Sequence, residues 1–129
     1  MKKTLFVLLF FAFNSSAWAS WIYVVTSGDD ADIFIDTATI KRTGDNRRVW
    51  ELLNLNKAFE GGMSMRFLTI YDCRNERYQR LNWSIHLEPM AQGKVLGTGN
   101  YEKPEWEYIA PRTAGSDVLK FVCALNNSK

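Results

Sequence analysis

A period-two alternation of apolar and polar side chains between Tyr78 and Leu87 constrains the fold of this chain more than any other feature. The apolar residues of the alternation share one side of an extended chain: Leu81, Trp83, Ile85 and Leu87. The polar residues share the other side: Arg80, Asn82, Ser84 and His86. This pattern is typical of an antiparallel strand with one face on a core and one in water, so it predicts that His86 is exposed.

Four further segments have the β-branched and aromatic composition of strands. They run from Trp21 to Thr26, Ala31 to Asp36, Arg48 to Asn56 and Ser64 to Cys73. The stretches that separate the strands are polar, charged or rich in glycine, as turns are, at residues 27–30, 43–46, 60–62 and 74–77. The first two segments therefore predict a hairpin.

The region after the alternating strand has a weaker pattern. Gly93, Gly97 and Gly99 resemble a phosphate-binding loop only superficially, because no Gly-Lys-Ser/Thr sequence follows them. They are interpreted as turn glycines. From Tyr101 to Tyr108, a proline and three glutamates favour an edge strand or a loop.

The last element has helical periodicity. Its apolar residues recur at helical spacing: Val118, Leu119, Val122, Cys123 and Leu125. They predict an amphipathic helix of about ten residues with Ser116 as N-cap, Asp117 near the positive end of the helix dipole and a polar stop at Asn126-Asn127. A single antiparallel β-sheet with one C-terminal α-helix is an α+β architecture.

The first 19 residues have the order of a secretory signal peptide. Met1-Lys2-Lys3 is cationic, Leu5 to Phe13 is apolar, and Ala17-Trp18-Ala19 places small residues before Ser20. We therefore expect a signal peptide at 1–19, a single domain at 20–129 and export to the periplasm or beyond.

The charge argues against a nucleic-acid partner, and the hydropathy argues against a membrane-spanning segment. The formal charge of +2 comes from Lys2 and Lys3, so the exported part is neutral and lacks the basic excess that nucleic-acid binding requires. No later apolar stretch is long enough to predict a membrane span.

The two cysteines, Cys73 and Cys123, both lie in the exported part. An even pair in an oxidising compartment favours a disulfide, which here closes a loop of about 50 residues and stabilises the fold by about 4 kcal/mol in the chain-entropy model. A reactive thiol or half of a metal site are the alternatives. With a single histidine in the chain, the thiol alternative lacks an obvious base.

A series of short motifs resembles the bacterial surface-adhesin protein E-like domains. The motifs are Trp21, Phe34-Ile35-Asp36, Thr39-Ile40, Val49-Trp50, Tyr71-Asp72-Cys73, Trp106, Pro111, Gly115-Ser116 and Cys123. The resemblance implies a sheet with a C-terminal helix attached by a disulfide, in agreement with the pattern above. It also implies an adhesin that binds host extracellular-matrix or plasma proteins and can form a homodimer.

Two departures from that family bear on function. The adhesin is lipid-anchored on a cysteine directly after the signal peptide, whereas Ser20 stands there in this chain, so no lipid anchor is expected. In addition, Arg112-Thr113-Ala114 separates Pro111 from Gly115-Ser116, which shifts the start of the helix.

Catalytic and metal-binding signals are weak. His86 is the sole histidine, and a Ser-His-Asp set around it is compatible with the composition, but an exposed strand histidine is the favoured interpretation. No His or Cys lies at ligand spacing from another, so neither a metal nor another cofactor is expected. We expect no enzymatic activity.

Several residues admit both a structural and a binding role. Asp36 is interpreted as the cap of a turn rather than a ligand-binding acid. Four tryptophans are interpreted as core and sheet-covering residues rather than an aromatic cleft: Trp21, Trp50, Trp83 and Trp106.

Arginines form the one local cationic cluster, around the turn at 74–77. Arg74, Arg77 and Arg80 either are solvated charges balanced by Asp72 and Glu76 or form a contact patch for an acidic protein or glycan. A second pair of arginines lies at 47–48. The cluster is the candidate binding site.

Three functions follow from these observations. The first is a non-enzymatic interaction domain of the adhesin type with a protein partner. The second is a soluble periplasmic binding or inhibitor protein of the cell envelope. The third, less favoured, is a small hydrolase that uses His86.

Overall fold

The strands follow the alternating segments of the sequence. The computed structural model describes residues 20–28 and 31–125. The strands within them are β1 (Trp21–Ser27), β2 (Ala31–Asp36), β3 (Lys41–Thr43), β4 (Asn46–Phe59), β5 (Gly62–Asp72), β6 (Arg77–Glu88), β7 (Gln92–Asn100) and β8 (Glu107–Tyr108). The predicted signal peptide and the polar stop at Asn126-Asn127 lie outside the described residues.

All strand pairs within the described residues are antiparallel and belong to one sheet in the order β1-β2-β4-β5-β6-β7. The short strand β3 pairs with the first part of β4, and β8 pairs with the first part of β6. The turn between β3 and β4 contains Gly44 at φ +58, a left-handed conformation that glycine adopts readily. The predicted α+β fold is confirmed.

A bulge in β6 changes which residues share a face. Leu68 pairs with Asn82 and Thr69 pairs with Arg80, so Leu81 is an extra residue between them. Before the bulge, Tyr78 and Arg80 therefore lie on the same face as Trp83 and Ile85 after it. The prediction that Arg80 shares a face with Asn82, Ser84 and His86 is wrong, because strict alternation cannot anticipate an inserted residue.

The helix α1 (Ala114–Ala124) packs against one side of the sheet, here called the helix face. Its buried residues Val118, Leu119 and Val122 join a core of strand and turn residues: Ile33, Ile35, Ile40, Val49 and Tyr71. The disulfide between Cys73 and Cys123, with Cα atoms 5.8 Å apart, confirms the predicted link from the end of β5 to the end of the helix.

The predicted N-cap of this helix is wrong. Thr113 is the N-cap, and its Oγ1 accepts a hydrogen bond from the backbone N–H of Ser116 at 3.2 Å. Ser116 itself is buried in the first turn. Asp117 does lie in that turn, as predicted.

The sheet has a second side, the opposite face, that also buries residues. Leu52, Ser64, Ser84 and His86 are buried there, and His86 is only 4% exposed. The predictions of an exposed His86 and an inward Leu87 are therefore wrong, because Leu87 is 46% exposed. The Ser64 hydroxyl donates to the carbonyl of Glu88 and accepts from the N–H of Ala91, which folds the 89–91 turn over this end of the sheet.

Two of the predicted turn glycines lie in the extended part of β7. Gly97 and Gly99 lie in β7 opposite Ile85 and Trp83, and a Cβ at Gly99 would come within 3.0 Å of the Trp83 ring. Only Gly93, at φ +74, occupies a turn conformation. The other two are small because Trp83 lies across them. None of the helices in the described part of the chain is both long and apolar enough to cross a membrane.

Candidate functional site

The three arginines of the sequence cluster lie at three different places. Arg74 is exposed in the turn between β5 and β6, where its backbone N–H donates to Asp72. Arg77 and Arg80 begin β6 but lie on opposite sides of the sheet, because residues 77 and 78 alternate and Arg80 shares its face with Tyr78.

Arg77 stabilises the turn and the segment beyond β7. Its Nε donates to Asp72 Oδ2 at 2.9 Å, and its guanidinium carbon lies 4.3 Å from the centre of the Trp106 ring. Asp72 also accepts hydrogen bonds from Asn75. These bonds, foremost that from the Asn75 side chain and then that from Arg77, lower the pKa of Asp72 from 3.8 to about 2, against the opposing effect of burial. This arginine therefore has a structural role.

Arg80 is the arginine that meets an open recess. Its guanidinium carbon lies 3.8 Å from the centre of the Phe67 ring and 5.6 Å from that of Tyr78. Its Nη2 atom is 3.7 Å from Glu51 Oε2, and its Nε atom is buried without a hydrogen-bond partner. Stacking on aromatic rings fixes the guanidinium in place, while 30% of the Arg80 side chain stays exposed.

A buried polar network on the helix face lies next to Arg80. Glu51, which is only 3% exposed, accepts hydrogen bonds from Tyr71 Oη at 2.8 Å and Thr69 Oγ1 at 3.1 Å. Burial, followed by the charge of Glu51 and the hydrogen bond to it, raises the pKa of Tyr71 well above 10, so this hydroxyl remains a donor. Glu51 thus satisfies two buried hydroxyls and faces Arg80 with its charge.

The Arg80 recess has a volume of about 330 Å³ on the helix face beside β8. Its lining combines aromatic and charged side chains: Tyr78, Arg80, Tyr101, Lys103, Pro104, Glu105 and Glu107. The segment from 101 to 109 is held at both ends, by Tyr101 N–H to the Leu81 carbonyl and by Ile109 N–H to the Glu76 carbonyl. The recess is therefore formed in advance of binding.

Tyr78 joins the strand to that segment. Its hydroxyl donates to Glu107 Oε2 at 2.6 Å, and burial together with this hydrogen bond raises the pKa of Tyr78 to about 12. The recess presents Arg80 and Lys103 as cations and Glu105 and Glu107 as anions. Such a lining suits a partner that itself carries both charges and apolar groups, as protein surfaces do.

The only histidine does not form an accessible catalytic group. His86 Nε2 and Ser84 Oγ are 2.8 Å apart in a hydrogen bond, but Ser84 is 3% exposed, and His86 Nδ1 has no hydrogen-bond partner. Burial, and then the positive charge of Arg66, lower the pKa of His86 below 6.5. A serine nucleophile in this position does not reach an external substrate, and no carboxylate orients the imidazole.

Asp36 and the tryptophans, for which the sequence allowed a binding role, have structural partners. Asp36 caps the turn at 37–39 by accepting from the N–H of Ala38 at 3.1 Å, as predicted. Three of the tryptophans also pack against identified neighbours, Trp50 under Arg66, Trp83 across the glycines of β7 and Trp106 under Arg77. Among residues 20–28 and 31–125, no group of three or more histidine, cysteine, aspartate or glutamate side chains is placed to hold a metal ion.

Comparison with known proteins assigns the family. The family model of surface-adhesin protein E matches residues 21–124. The chain belongs to this family. Membership places it among exported adhesin-type proteins, and no curated protein matches its sequence directly.

Solved structures agree on the fold. The chain is similar to Haemophilus influenzae protein E, with a TM-score of 0.64 and 18% identity over 82% of this chain and 85% of that one. A second crystal form of that protein gives a TM-score of 0.66 and 18% identity over 82% and 88% of the two chains. Protein E from non-typeable Haemophilus influenzae gives 0.64 and 18% identity over 85% and 79%. At this level of identity the likeness establishes the shared fold only.

Proposed function

We propose that this protein is a non-enzymatic, exported interaction domain of the adhesin type that binds a protein of the host extracellular matrix or plasma. The Arg80 recess supports this proposal most directly. It combines one stacked arginine, two tyrosines and flanking charges of both signs on a segment held at both ends. Arginine and tyrosine are the residue types that dominate the energy of protein interfaces.

A preformed recess favours binding for an entropic reason. The 101–109 segment is already held by its backbone hydrogen bonds and by the Tyr78–Glu107 bond. Binding of a partner therefore costs little conformational entropy in this segment. Arg80 offers a charge-assisted hydrogen bond to a carboxylate of the partner, while Glu105 and Glu107 suit its basic side chains.

The test is binding of the mature protein to immobilised matrix and plasma proteins, measured by surface plasmon resonance. Replacing Tyr101 and Lys103 by alanine is expected to weaken binding by about tenfold or more, as for hot-spot side chains. Tyr23→Ala with Lys120→Ala is the matched control, because Tyr23 is 53% exposed at the other edge of the sheet against 40% for Tyr101, and the exposed Lys120 makes the charge change identical. Absence of binding at micromolar concentration, or equal loss in both variants, contradicts the proposal.

The second candidate, a soluble periplasmic binding or inhibitor protein, is favoured by one observation. Cys73 and Cys123 are bonded to each other and are the two cysteines of this sequence, so neither carries a thioether-linked lipid. Fractionation of the native protein between periplasm, outer membrane and medium separates the candidates. Recovery in the periplasm together with a cross-linked envelope protein supports the second one.

A homodimer stays a prediction of the family resemblance. Sedimentation equilibrium of the mature protein tests it, and a single monomeric species at high concentration contradicts it.

A further inference from the structure

Like charges face each other across the β3–β4 hairpin. Lys41 lies directly opposite Arg48, and Arg42 lies opposite Arg47. Like charges in such cross-strand pairs are destabilising. In the part of the chain that the structure describes, the salt bridges are formed by Arg77 and Arg80, and none of these four cations takes part in one.

The two cross-strand pairs differ in whether their cations have hydrogen-bond acceptors within the protein. Arg47 is buried and its Nη1 donates to the carbonyls of Gly44 and Asn46. Burial and then the charge of Arg42 lower the pKa of Arg47. Lys41 and Arg48 are instead exposed on the opposite face of the sheet, and neither forms a salt bridge with a carboxylate among the described residues. Positive charge is therefore concentrated there at a structural cost.

Lys41 and Arg48 line two adjoining recesses on that face. One has a volume of about 380 Å³ and is completed by Thr43, Asn46 and Ile70. The other, of about 550 Å³, extends past Trp50 and Leu68. Because both recesses share Lys41 and Arg48, they form one depression, here called the basic groove.

The basic groove continues toward a third cation. Arg66 stacks on the Trp50 ring, with its guanidinium carbon 4.5 Å from the ring centre. The lining of the basic groove includes two apolar residues, Leu68 and Ile70, here called its floor, together with the hydroxyl of Thr43 and the amide of Asn46. Cations, apolar groups and neutral hydrogen-bonding groups thus lie on the same face.

The nearest acids do not neutralise the groove. Asp72 pairs in register with Asn46, but its carboxylate is occupied by Asn75 and Arg77. Asp45 lies in the turn, where its charge acts on Arg47. Lys41 and Arg48 are therefore left for an external anion.

We infer that the basic groove binds a sulfated segment of an acidic polysaccharide. The guanidinium of Arg48 matches a sulfate with two parallel hydrogen bonds, and Lys41 adds a point charge across the strand pair. The apolar faces of sugar rings fit the floor beside Trp50, and ring hydroxyls fit Thr43 and Asn46. Two exposed cations form a smaller basic surface than the extended one that nucleic-acid binding requires, which disfavours that partner.

The groove lies on the opposite side of the sheet from the Arg80 recess and does not depend on the proposed protein-binding function. The test is titration calorimetry of the mature protein with a heparin hexasaccharide at low salt. Replacing Lys41 and Arg48 by glutamine is expected to weaken binding by about tenfold or more. Lys94→Gln with Lys120→Gln is the matched control, because both lysines are exposed elsewhere and the charge change is identical.

Three results would overturn the inference. The first is an equal loss of affinity in both double variants, which assigns binding to overall charge. The second is equal binding of a fully desulfated hexasaccharide, which removes the role of the cations. The third is equally tight, groove-dependent binding of a single-stranded oligonucleotide, which makes the site a general polyanion site rather than a glycan site.

One further variant distinguishes a loss of binding from a loss of folding. Lys41→Glu replaces the repulsive pair by an attractive one, so we expect Tm to rise by about 2 °C while hexasaccharide binding is lost. Loss of binding in a more stable protein cannot result from unfolding. Unchanged binding by this variant contradicts the inference.

Discussion

The half of the sheet under the helix and the half beyond it are built from the same antiparallel strands but are filled in different ways. Under α1, the strands contribute aliphatic residues such as Ile33, Ile35 and Val49 to a closed core. Beyond it, at β6 and β7, Arg80 stacks on Phe67 and Trp83 covers two glycines. The helix-covered half is sealed by apolar contact and a disulfide, whereas the open half relies on aromatic stacking and charge.

This difference shows how one sheet combines stability with recognition. Apolar burial under the helix stabilises the fold, because the hydrophobic contribution to folding scales with the apolar area removed from water. The open half keeps arginine and tyrosine side chains ordered yet accessible, which is what a binding surface needs.

The largest effect is expected from the disulfide. Replacing Cys73 and Cys123 by alanine should lower the free energy of unfolding by about 4 kcal/mol, since the bond closes a long loop. The helix should detach before the sheet is lost, so thermal unfolding followed by far-UV circular dichroism should show lower stability with a preserved β signal. Loss of the helix and the sheet in one cooperative transition would contradict the separation of the two halves.

The helix-covered core should respond strongly to a cavity. Ile35→Ala removes a side chain with no solvent exposure and is expected to cost about 3 kcal/mol in urea unfolding. Ile22→Ala is the matched control, because Ile22 is 44% exposed in the neighbouring strand, and it should cost less than about 1 kcal/mol. Similar costs for the two variants would show that the core does not extend as described.

Acid should weaken two sites in the sheet in different pH ranges. The pKa of His86 is lowered below 6.5 in the folded state, so the stability gained from its neutral form decreases as pH falls below that value. The pKa of Asp72 is lowered from 3.8 to about 2, so its contribution is complete above 3.8 and lost as pH falls toward 2. The Asp72 step should be on the order of 2 kcal/mol.

Urea unfolding over this pH range measures both steps. His86→Gln should remove the step that begins near neutral pH, and Asp72→Asn should remove the one at low pH. A single transition unaffected by either variant would mean that these two groups do not govern acid stability.

The smallest effect concerns the start of the helix. Thr113→Ala is expected to cost about 1 kcal/mol, because the N–H of Ser116 loses its capping acceptor. Thr113→Ser should retain stability, and Ser116→Ala should cost less than Thr113→Ala because it leaves the capping hydrogen bond in place. A larger loss of stability in Ser116→Ala than in Thr113→Ala, measured by urea unfolding, would show that Ser116 is the N-cap, as predicted from sequence.

Local sequence predicted much of the fold. The bounds of β2 agree with its sequence segment, and the turn at 43–46 and the cap by Asp36 were recognisable from turn chemistry. The short strand β3 gave no such signal, since three exposed residues have no periodicity. The pair of cysteines was sufficient to predict the disulfide because only one intramolecular pairing exists.

The candidate site was less predictable. Three arginines close in sequence suggested one patch, but the β6 bulge and the turn separate them, and only Arg80 reaches the recess. The basic groove joins Lys41 and Arg48 with Arg66, which comes from another strand. Contacts between residues distant in the chain leave no short motif.

The sequence by itself determined the five strands with clear periodicity, the amphipathic helix and the disulfide, because periodicity, turn residues and composition are local properties. Only the tertiary structure decided that His86 is buried, that Arg80 changes face and that Thr113 caps the helix. The physical reason is that burial and facing depend on pairing register, and a single inserted residue at Leu81 reverses the faces of everything before it in β6.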